Sequence, residues 1–332
     1  MKCSLAEWNE FLSHSPNAHI LQCGEWGELK SRFGWKPVRI VNAATGAQVL
    51  FRRLPAGLTL GYIARGPVGG SIESLLPELD EICRLEKAIF LKVEPDRWFA
   101  STESGDVHAD PRWVPSRPIQ PQRTVMVSLL GSEDDILSRM KQKTRYNIRL
   151  AAKKDVFVTS DDDLAAFHAM LKVTGERDHF GVHSLEYYQA AYDLLHSSGN
   201  CELLTARFQG KALASLMIFA RGDTAWYMYG ASTDEERNRM PTYLLQWEAM
   251  RWARSQGCKQ YDLWGIPDLD EADLEENFTQ KESHQGLWGV YRFKRGFGGD
   301  VLRSSGAFDI VYRPLLYKTY RQVLSLRGGS EE

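Results

Sequence analysis

From Gly210 the chain reads Gly210-Lys211-Ala212-Leu213-Ala214-Ser215-Leu216-Met217-Ile218-Phe219-Ala220, and from Thr224 it reads Thr224-Ala225-Trp226-Tyr227-Met228-Tyr229-Gly230. Gly210-Lys211 is a turn. Ala212–Ala220 and Thr224–Tyr229 are short apolar runs of strand length. After the loop at Gly230, Pro241–Gln256 sets Leu244, Leu245, Trp247, Ala249, Met250 and Trp252 at helical spacing. Gln260–Trp264, which holds Asp262, reads as the next strand. The order is turn, strand, strand, glycine loop, helix, strand ending in an acid.

The same order occurs earlier. The turn Asn42-Ala43-Ala44-Thr45-Gly46 joins Pro37–Val41 and Gln48–Arg53 as a hairpin. Leu58–Ile63 is a strand, and Gly66-Pro67-Val68 is a loop. Ser71–Leu85 repeats Ile72, Leu75, Leu76, Leu79, Ile82 and Cys83 with a helical period, and Ala88–Val93 is a buried strand before Glu94. Two stretches of nearly equal length with one element order predict a duplicated α/β unit. Ahead of the first copy, Ser4 and Glu7 form a capping box for a helix carrying Trp8, Phe11 and Leu12. A second helix is expected over Gly24–Phe33. Ile310–Leu326 reads as a helix that needs a surface to pack on. The expected domains are therefore 1–122 completed by 305–332, and 123–304.

Composition agrees with a two-domain globular chain: 332 residues, 43% hydrophobic and 25% charged. Collagen-like and disordered classes are excluded. No apolar run approaches the about 20 residues of a membrane span. The N-terminus lacks the apolar core of a secretory leader. The expectation is a cytoplasmic protein without stable membrane insertion. Five widely spaced cysteines offer neither a disulfide framework nor a CxxC motif. There is no P-loop, GxGxxG, HExxH or GxSxG, and the histidines show no metal spacing, so no metal and no cofactor are expected.

Lys and Arg number 41 against 43 Asp and Glu, a net charge of −2, which argues against a protein that coats nucleic acid. The charges are not mixed, however. Arg139, Lys141, Lys143, Arg145, Arg149, Lys153 and Lys154 stand in one span with no acid, on a predicted basic helix over 132–154 that Ser132 and Asp135 can cap. Like charges at i,i+4 destabilise a helix unless an anion compensates them. The span reads as a phosphate-binding helix or as a solvated helix face. Asp268–Glu276 collects six acids at a spacing that fits no calcium loop, and it is expected to be a mobile, solvated loop.

What remains is an ordered set of segments. They are Gln22-Cys23-Gly24-Glu25-Trp26-Gly27-Glu28-Leu29-Lys30, Gly66-Pro67-Val68, Lys92-Val93-Glu94-Pro95-Asp96, Trp226–Ser232, Tyr261-Asp262-Leu263-Trp264-Gly265, and Tyr291-Arg292-Phe293-Lys294-Arg295-Gly296-Phe297-Gly298-Gly299. In this order, over nearly the whole chain, the set resembles the Fem-type (FemA/FemB/FemX) peptidyltransferases. The resemblance is to the shorter, FemX-like form, because no pair of long heptad-patterned helices appears in the second half. It implies an α/β fold of two GNAT-like domains in tandem, with mixed sheets flanked by helices. It also implies transfer of an amino acid from aminoacyl-tRNA to the stem-peptide amine of a peptidoglycan precursor. That precursor would be UDP-MurNAc-pentapeptide or lipid II.

The resemblance assigns roles unevenly. Lys30 sits where the family binds the phosphates of the acceptor. Tyr187 matches an acceptor contact, but the arginine expected four residues earlier is His183, leaving Arg177 or another cation for that phosphate. Tyr229 matches a tyrosine of the acceptor channel. Phe293-Lys294 matches the pair nearest the reaction, with Lys294 binding the tRNA 3′ end and stabilising negative charge. Glu94 falls where relatives carry an acid able to act as a base; a strand-end acid capping a neighbouring helix is the bland reading. Arg145, Arg149 and Lys153 are the tRNA-binding candidates on the basic helix. An aminoacyl ester is already activated, so positioning and oxyanion stabilisation suffice for its conversion to an amide.

Three rivals remain. An acetyl-CoA-dependent acyltransferase needs a Q/R-x-x-G-x-G/A loop before a helix, and Glu236-Arg237-Asn238-Arg239-Met240-Pro241 lacks the glycines. A tRNA-dependent enzyme acting on another small peptide or natural product is the second. A catalytically inactive protein that binds tRNA or the precursor is the third.

Overall fold

A computed structural model describes residues 1–100, 112–178, 180–269, 272–274 and 287–326. The chain divides into two compact units. Met1–Gln122 with Arg303–Glu332 forms one, and Arg123–Leu302 forms the other.

In the first unit β1 (Lys2–Cys3) leads into α1 (Leu5–Ser13). The capping box is present: Glu7 N–H donates to the Ser4 hydroxyl, and the Glu7 carboxylate accepts from the Ser4 N–H at 2.7 Å. Then follow α2 (Gly24–Arg32), β2 (Trp35–Asn42), β3 (Thr45–Arg53) and β4 (Thr59–Ala64). A short turn of helix and α3 (Leu76–Leu85) lead to β5 (Ala88–Glu94) and the short strand β6 (Trp98–Ala100), before β7 (Trp113–Ser116). The last two elements are β15 (Ala307–Val311) and α10 (Pro314–Leu326). The sheet order is β1-β2-β3-β4-β5-β15-β7. β4 and β5 are parallel with α3 as the crossover, and their neighbours are antiparallel. The C-terminal segment differs from the expectation: Ile310 and Val311 are strand, not helix. Pro314 is the cause, because Arg313 before it is pushed out of the helical region, so the helix starts only at Pro314.

The second unit contains β8 (Arg123–Ser128), α4 (Glu133–Arg139), α5 (Gln142–Lys153) and β9 (Phe157–Ser160). Next come α6 (Leu164–Asp178), α7 (Leu185–His196), β10 (Cys201–Phe208), β11 (Lys211–Arg221) and β12 (Thr224–Ser232). α8 (Pro241–Ser255), β13 (Gln260–Gly265), α9 (Leu287–Gly296) and β14 (Asp300–Ser304) complete it. From β14 the strands run β14-β8-β13-β12-β11-β10-β9. Here β12 and β13 are the parallel pair, with α8 as the crossover. The second unit thus repeats the first strand for strand. One face of β11 (Ala214, Leu216, Ile218, Ala220) is buried under α8 and α5, and the other face is buried as well. That explains its unbroken apolar sequence.

The basic segment is two helices rather than one over 132–154. Ser132 caps α4 through Asp135, as expected. The chain then turns at Met140 and Lys141, both extended, and α5 begins with Lys141 as its N-cap. Among the described residues no helix is long and apolar enough to cross a membrane. Of the acidic segment, Asp270, Glu271, Glu275 and Glu276 lie outside the described residues. Asp268 is not simply solvated: it pairs with the buried Arg123 at 2.9 Å.

Candidate active site

The pairing of β12 with β13 covers only Thr224–Trp226 and Gln260–Asp262. Beyond it, two irregularities reshape the strands. β12 bulges at Met228, so that Ile218 opposes Tyr227 while Met217 opposes Tyr229. β13 bulges between Asp262 and Gly265, with Trp264 in the left-handed region at φ +61°. Bulges re-aim side chains and end regular pairing. Tyr227, Met228, Tyr229 and Gly230 are only half-buried although β12 is an inner strand, and so are Trp264 and Gly265.

Lys294, from α9, fills the bottom of this opening. It is 8% exposed, and its ammonium donates to the Gly265 carbonyl at 2.7 Å and lies 5.5 Å from the Tyr227 ring centre. Burial lowers its pKa from 10.5 to about 7, and the nearby charge of Asp262 works against that fall. Asp262 is buried and accepts from the Thr124 hydroxyl and, at 2.7 Å, from the Trp264 N–H. The Tyr261 hydroxyl donates to Gln246 at 2.7 Å, and Gln246 also bonds Tyr227. Phe293 is half-buried against Tyr243 and Phe297, with centroids 5.1 Å away in each case.

The bulge at Met228 turns Tyr227 and Tyr229 to opposite faces of the sheet. An unbroken strand would put them on the same face. Tyr227 meets Lys294; Tyr229 meets α7, where its hydroxyl lies 3.5 Å from that of buried Tyr187. Exposed His183 stacks on Tyr187 at 4.0 Å. The expected acceptor residues His183, Tyr187 and Tyr229 are thus one cluster. Arg177 is committed elsewhere, to Asp178 at 2.9 Å and Asp234 at 2.8 Å.

On α5, Arg145 does not project as expected. Its guanidinium turns back to the carbonyls of Met140 and Ser138 and holds the break between the helices. The exposed face instead presents Lys143, Tyr146, Arg149 and Lys153. Tyr146, 61% exposed, was missed in the sequence; its i,i+3 spacing to Lys143 and Arg149 was the available signal. The start of α5 touches the end of α9, where Lys141 N–H donates to the Gly296 carbonyl at 2.9 Å. A Cβ on Gly296 would meet the Thr144 hydroxyl at 2.5 Å, so a larger residue there would have to displace that side chain.

Two candidates lie in the first unit. Lys30 reaches over Trp26, one turn earlier, at 5.3 Å. Glu94 is 1% exposed and accepts from the Ile119 and Gln120 N–H groups and the Tyr62 hydroxyl. Burial raises its pKa.

With this geometry in hand, the sequence matches the FemAB family over residues 114–209 and 200–324. The chain belongs to the FemAB family. It is 26% identical to proteins named lipid II:glycine glycyltransferase from Staphylococcus haemolyticus and Staphylococcus aureus. These alignments cover 97% and 96% of the chain and 95% and 94% of those proteins. They run over 410 and 405 positions, so the relatives carry segments that this FemAB protein of 332 residues lacks. The crystal structure of FemX superposes with a TM-score of 0.78 at 23% identity, covering 96% of this chain and 98% of that one. A tandem GNAT protein from the clavulanic acid biosynthesis pathway shares the architecture more distantly, with a TM-score of 0.50 at 10% identity over 92% and 94% of the two chains. These likenesses agree with the tandem GNAT-like α/β fold that the family resemblance implies.

Proposed function

We propose that this FemAB protein transfers an aminoacyl group from aminoacyl-tRNA to the stem-peptide amine of a peptidoglycan precursor. The observation that carries the reading is the buried Lys294 ammonium at the bottom of the opening between β12 and β13. In the reaction the amine attacks the ester carbonyl, the ester C–O bond breaks, and the tRNA leaves with its ribose hydroxyl reprotonated. Negative charge develops on the carbonyl oxygen. Lys294, 8% exposed, spends one N–H on Gly265 and has others to direct at that oxygen. The names of the staphylococcal relatives support a peptidoglycan precursor as acceptor. Their lipid II also favours the lipid-linked form over UDP-MurNAc-pentapeptide.

The face of Lys143, Tyr146, Arg149 and Lys153 on α5 suits the acceptor stem of the tRNA. It offers cations for phosphates and an exposed ring for stacking, on a helix bonded directly to the end of the Lys294 helix. Binding there would need no base-specific code. His183, Tyr187 and Tyr229 are read as the acceptor wall and Lys30 as a phosphate contact. Glu94, with its oxygens occupied by three donors, is better suited to holding residues 119 and 120 than to taking a proton.

The test is transfer in vitro from charged tRNA to nucleotide-linked and lipid-linked precursors, read as a mass increase of one residue. Lys294→Met should lower its kcat/KM about 10²–10³-fold while leaving tRNA retention largely intact; near wild-type kcat/KM refutes the role. Arg149→Glu with Lys153→Glu should weaken tRNA binding and flatten its salt dependence. An unchanged slope assigns α5 to a merely solvated face.

A further inference from the structure

The C-terminal helix α10 is apolar on two sides. Its inner side sets Tyr317, 8% exposed, against Phe90 at 5.3 Å, with Tyr320 at the same distance from Phe90. Tyr317 also donates to the buried Asp309 at 2.7 Å, which anchors the helix to β15. At 100° per residue, Leu315 lies opposite Tyr317 and Tyr320, and Val323 and Leu316 lie on one flank of the helix. Leu315 is 84% exposed, Val323 41% and Leu316 38%. A helix packed on a sheet ordinarily turns polar residues outward, so the outer leucines and valine are unexplained by the fold.

The surroundings are cationic. α10 holds Lys318 and Arg321 and no acid, and Arg313 precedes it directly. Arg313 lines a cavity of about 310 Å³ with Arg84, Arg112 and Asp80. Asp80 is already held by Arg112 at 2.9 Å and by the Tyr312 hydroxyl at 2.9 Å. Leu85, next to Arg84, is 67% exposed. The C-terminal helix and the residue before it therefore present Leu315, Leu316 and Val323 among Arg313, Lys318 and Arg321.

We infer that this surface docks the protein on an anionic phospholipid bilayer. Three apolar side chains among cations fall well short of the about 800 Å² per partner of a stable protein interface. They are enough for shallow insertion at a lipid headgroup layer, where each cation near an anionic surface adds about 1 kcal/mol. Apolar contact and charge are both needed for such attachment, because either alone is weak. The helix is too short and too polar to span a membrane. Docking goes beyond the transfer reaction: it concerns where the enzyme meets its acceptor, not how it reacts, and it suits a lipid-linked acceptor.

The experiment is co-sedimentation of the full chain with phosphatidylcholine vesicles and with vesicles containing phosphatidylglycerol, at low and high salt. The wild type should sediment with the anionic vesicles and be released by salt. Leu315→Glu with Val323→Glu should reduce binding about tenfold or more, and Lys318→Glu with Arg313→Glu should do likewise. All four sites are solvent-exposed, so thermal unfolding should stay unchanged, as should transfer to a soluble nucleotide-linked acceptor. That second readout separates failed docking from failure of the proposed reaction. A wild type that stays in the supernatant with anionic vesicles overturns the inference. So do variants that sediment like the wild type, and so does a solution dimer that Leu315→Glu dissociates.

Discussion

The two parallel strand pairs, β4–β5 and β12–β13, occupy the same place in the two copies and differ at their ends. In the first unit the pairing runs to Ala64 and Glu94, and both strands are buried throughout. The chain stays paired past the strand end, with Gly66 N–H donating to the Glu94 carbonyl. In the second unit the pairing stops at Trp226 and Asp262, both strands bulge, and the gap holds Lys294. In each copy the parallel pairing ends at an acid. Glu94 is saturated by the Tyr62 hydroxyl and two backbone donors; Asp262 stands beside an ammonium. One copy of the duplicated unit stays paired to its strand ends, and the other opens around Lys294, where we place the proposed reaction.

The sharpest way to break this contrast is to remove the ammonium. Lys294→Met should lower kcat/KM about 10²–10³-fold, the size typical of losing one oxyanion donor. It should not destabilise the fold near neutral pH. The folded chain releases the Lys294 proton near 7, whereas the unfolded chain keeps it to near 10.5. Between those values the unfolded state binds more protons, so this lysine makes stability rise with pH across that window. Lys294→Met should erase the rise in a series of melting curves. The opposite result is expected in the closed copy. Glu94→Ala orphans two backbone N–H groups and a tyrosine, and should lower stability by about 3 kcal/mol or more with kcat/KM per folded molecule nearly unchanged. If transfer fell as far as it does for Lys294→Met, the contrast would collapse.

Protonation sharpens it further. An ammonium acting on an oxyanion makes kcat/KM fall as pH rises through about 7; a neutral amine acting as base would make it rise. Asp262 holds the Lys294 pKa up. Asp262→Asn, which keeps acceptors for Thr124 and the Trp264 N–H, should move the falling limb to lower pH without abolishing transfer. A pH–rate profile identical to the wild type would show that the two groups do not communicate.

Much of this frame was legible in the sequence, because it depends on local patterning. Turn glycines, apolar runs of strand length and the helix of Pro241–Gln256 located both copies within three residues, and Ser4 with Glu7 announced the first cap. What was not legible depends on tertiary contact. The bulge at Met228 leaves no mark on Trp226-Tyr227-Met228-Tyr229, yet it decides which tyrosine meets Lys294. The break at Met140 was hidden by a run of good helix formers, and it turned Arg145 inward while leaving Tyr146 in the open. Of the cations the pattern named, Arg149 and Lys153 are exposed, and Arg145 alone is turned back on the backbone.

The smallest expected effect tests the far side of the bulge. Tyr229 is half-buried, and its hydroxyl is 3.5 Å from that of Tyr187, too long for a strong hydrogen bond. Removing it in Tyr229→Phe should change stability by less than about 1 kcal/mol. The ring remains to pack edge-on against Tyr188 at 5.2 Å and Phe219 at 5.9 Å. If the cluster with His183 is the acceptor wall, KM for the precursor should rise several-fold while kcat holds, because the hydroxyl would touch the acceptor and not the reacting carbonyl. An unchanged KM would return Tyr229 to the core, and the bulge would then serve only to deliver Tyr227 to Lys294.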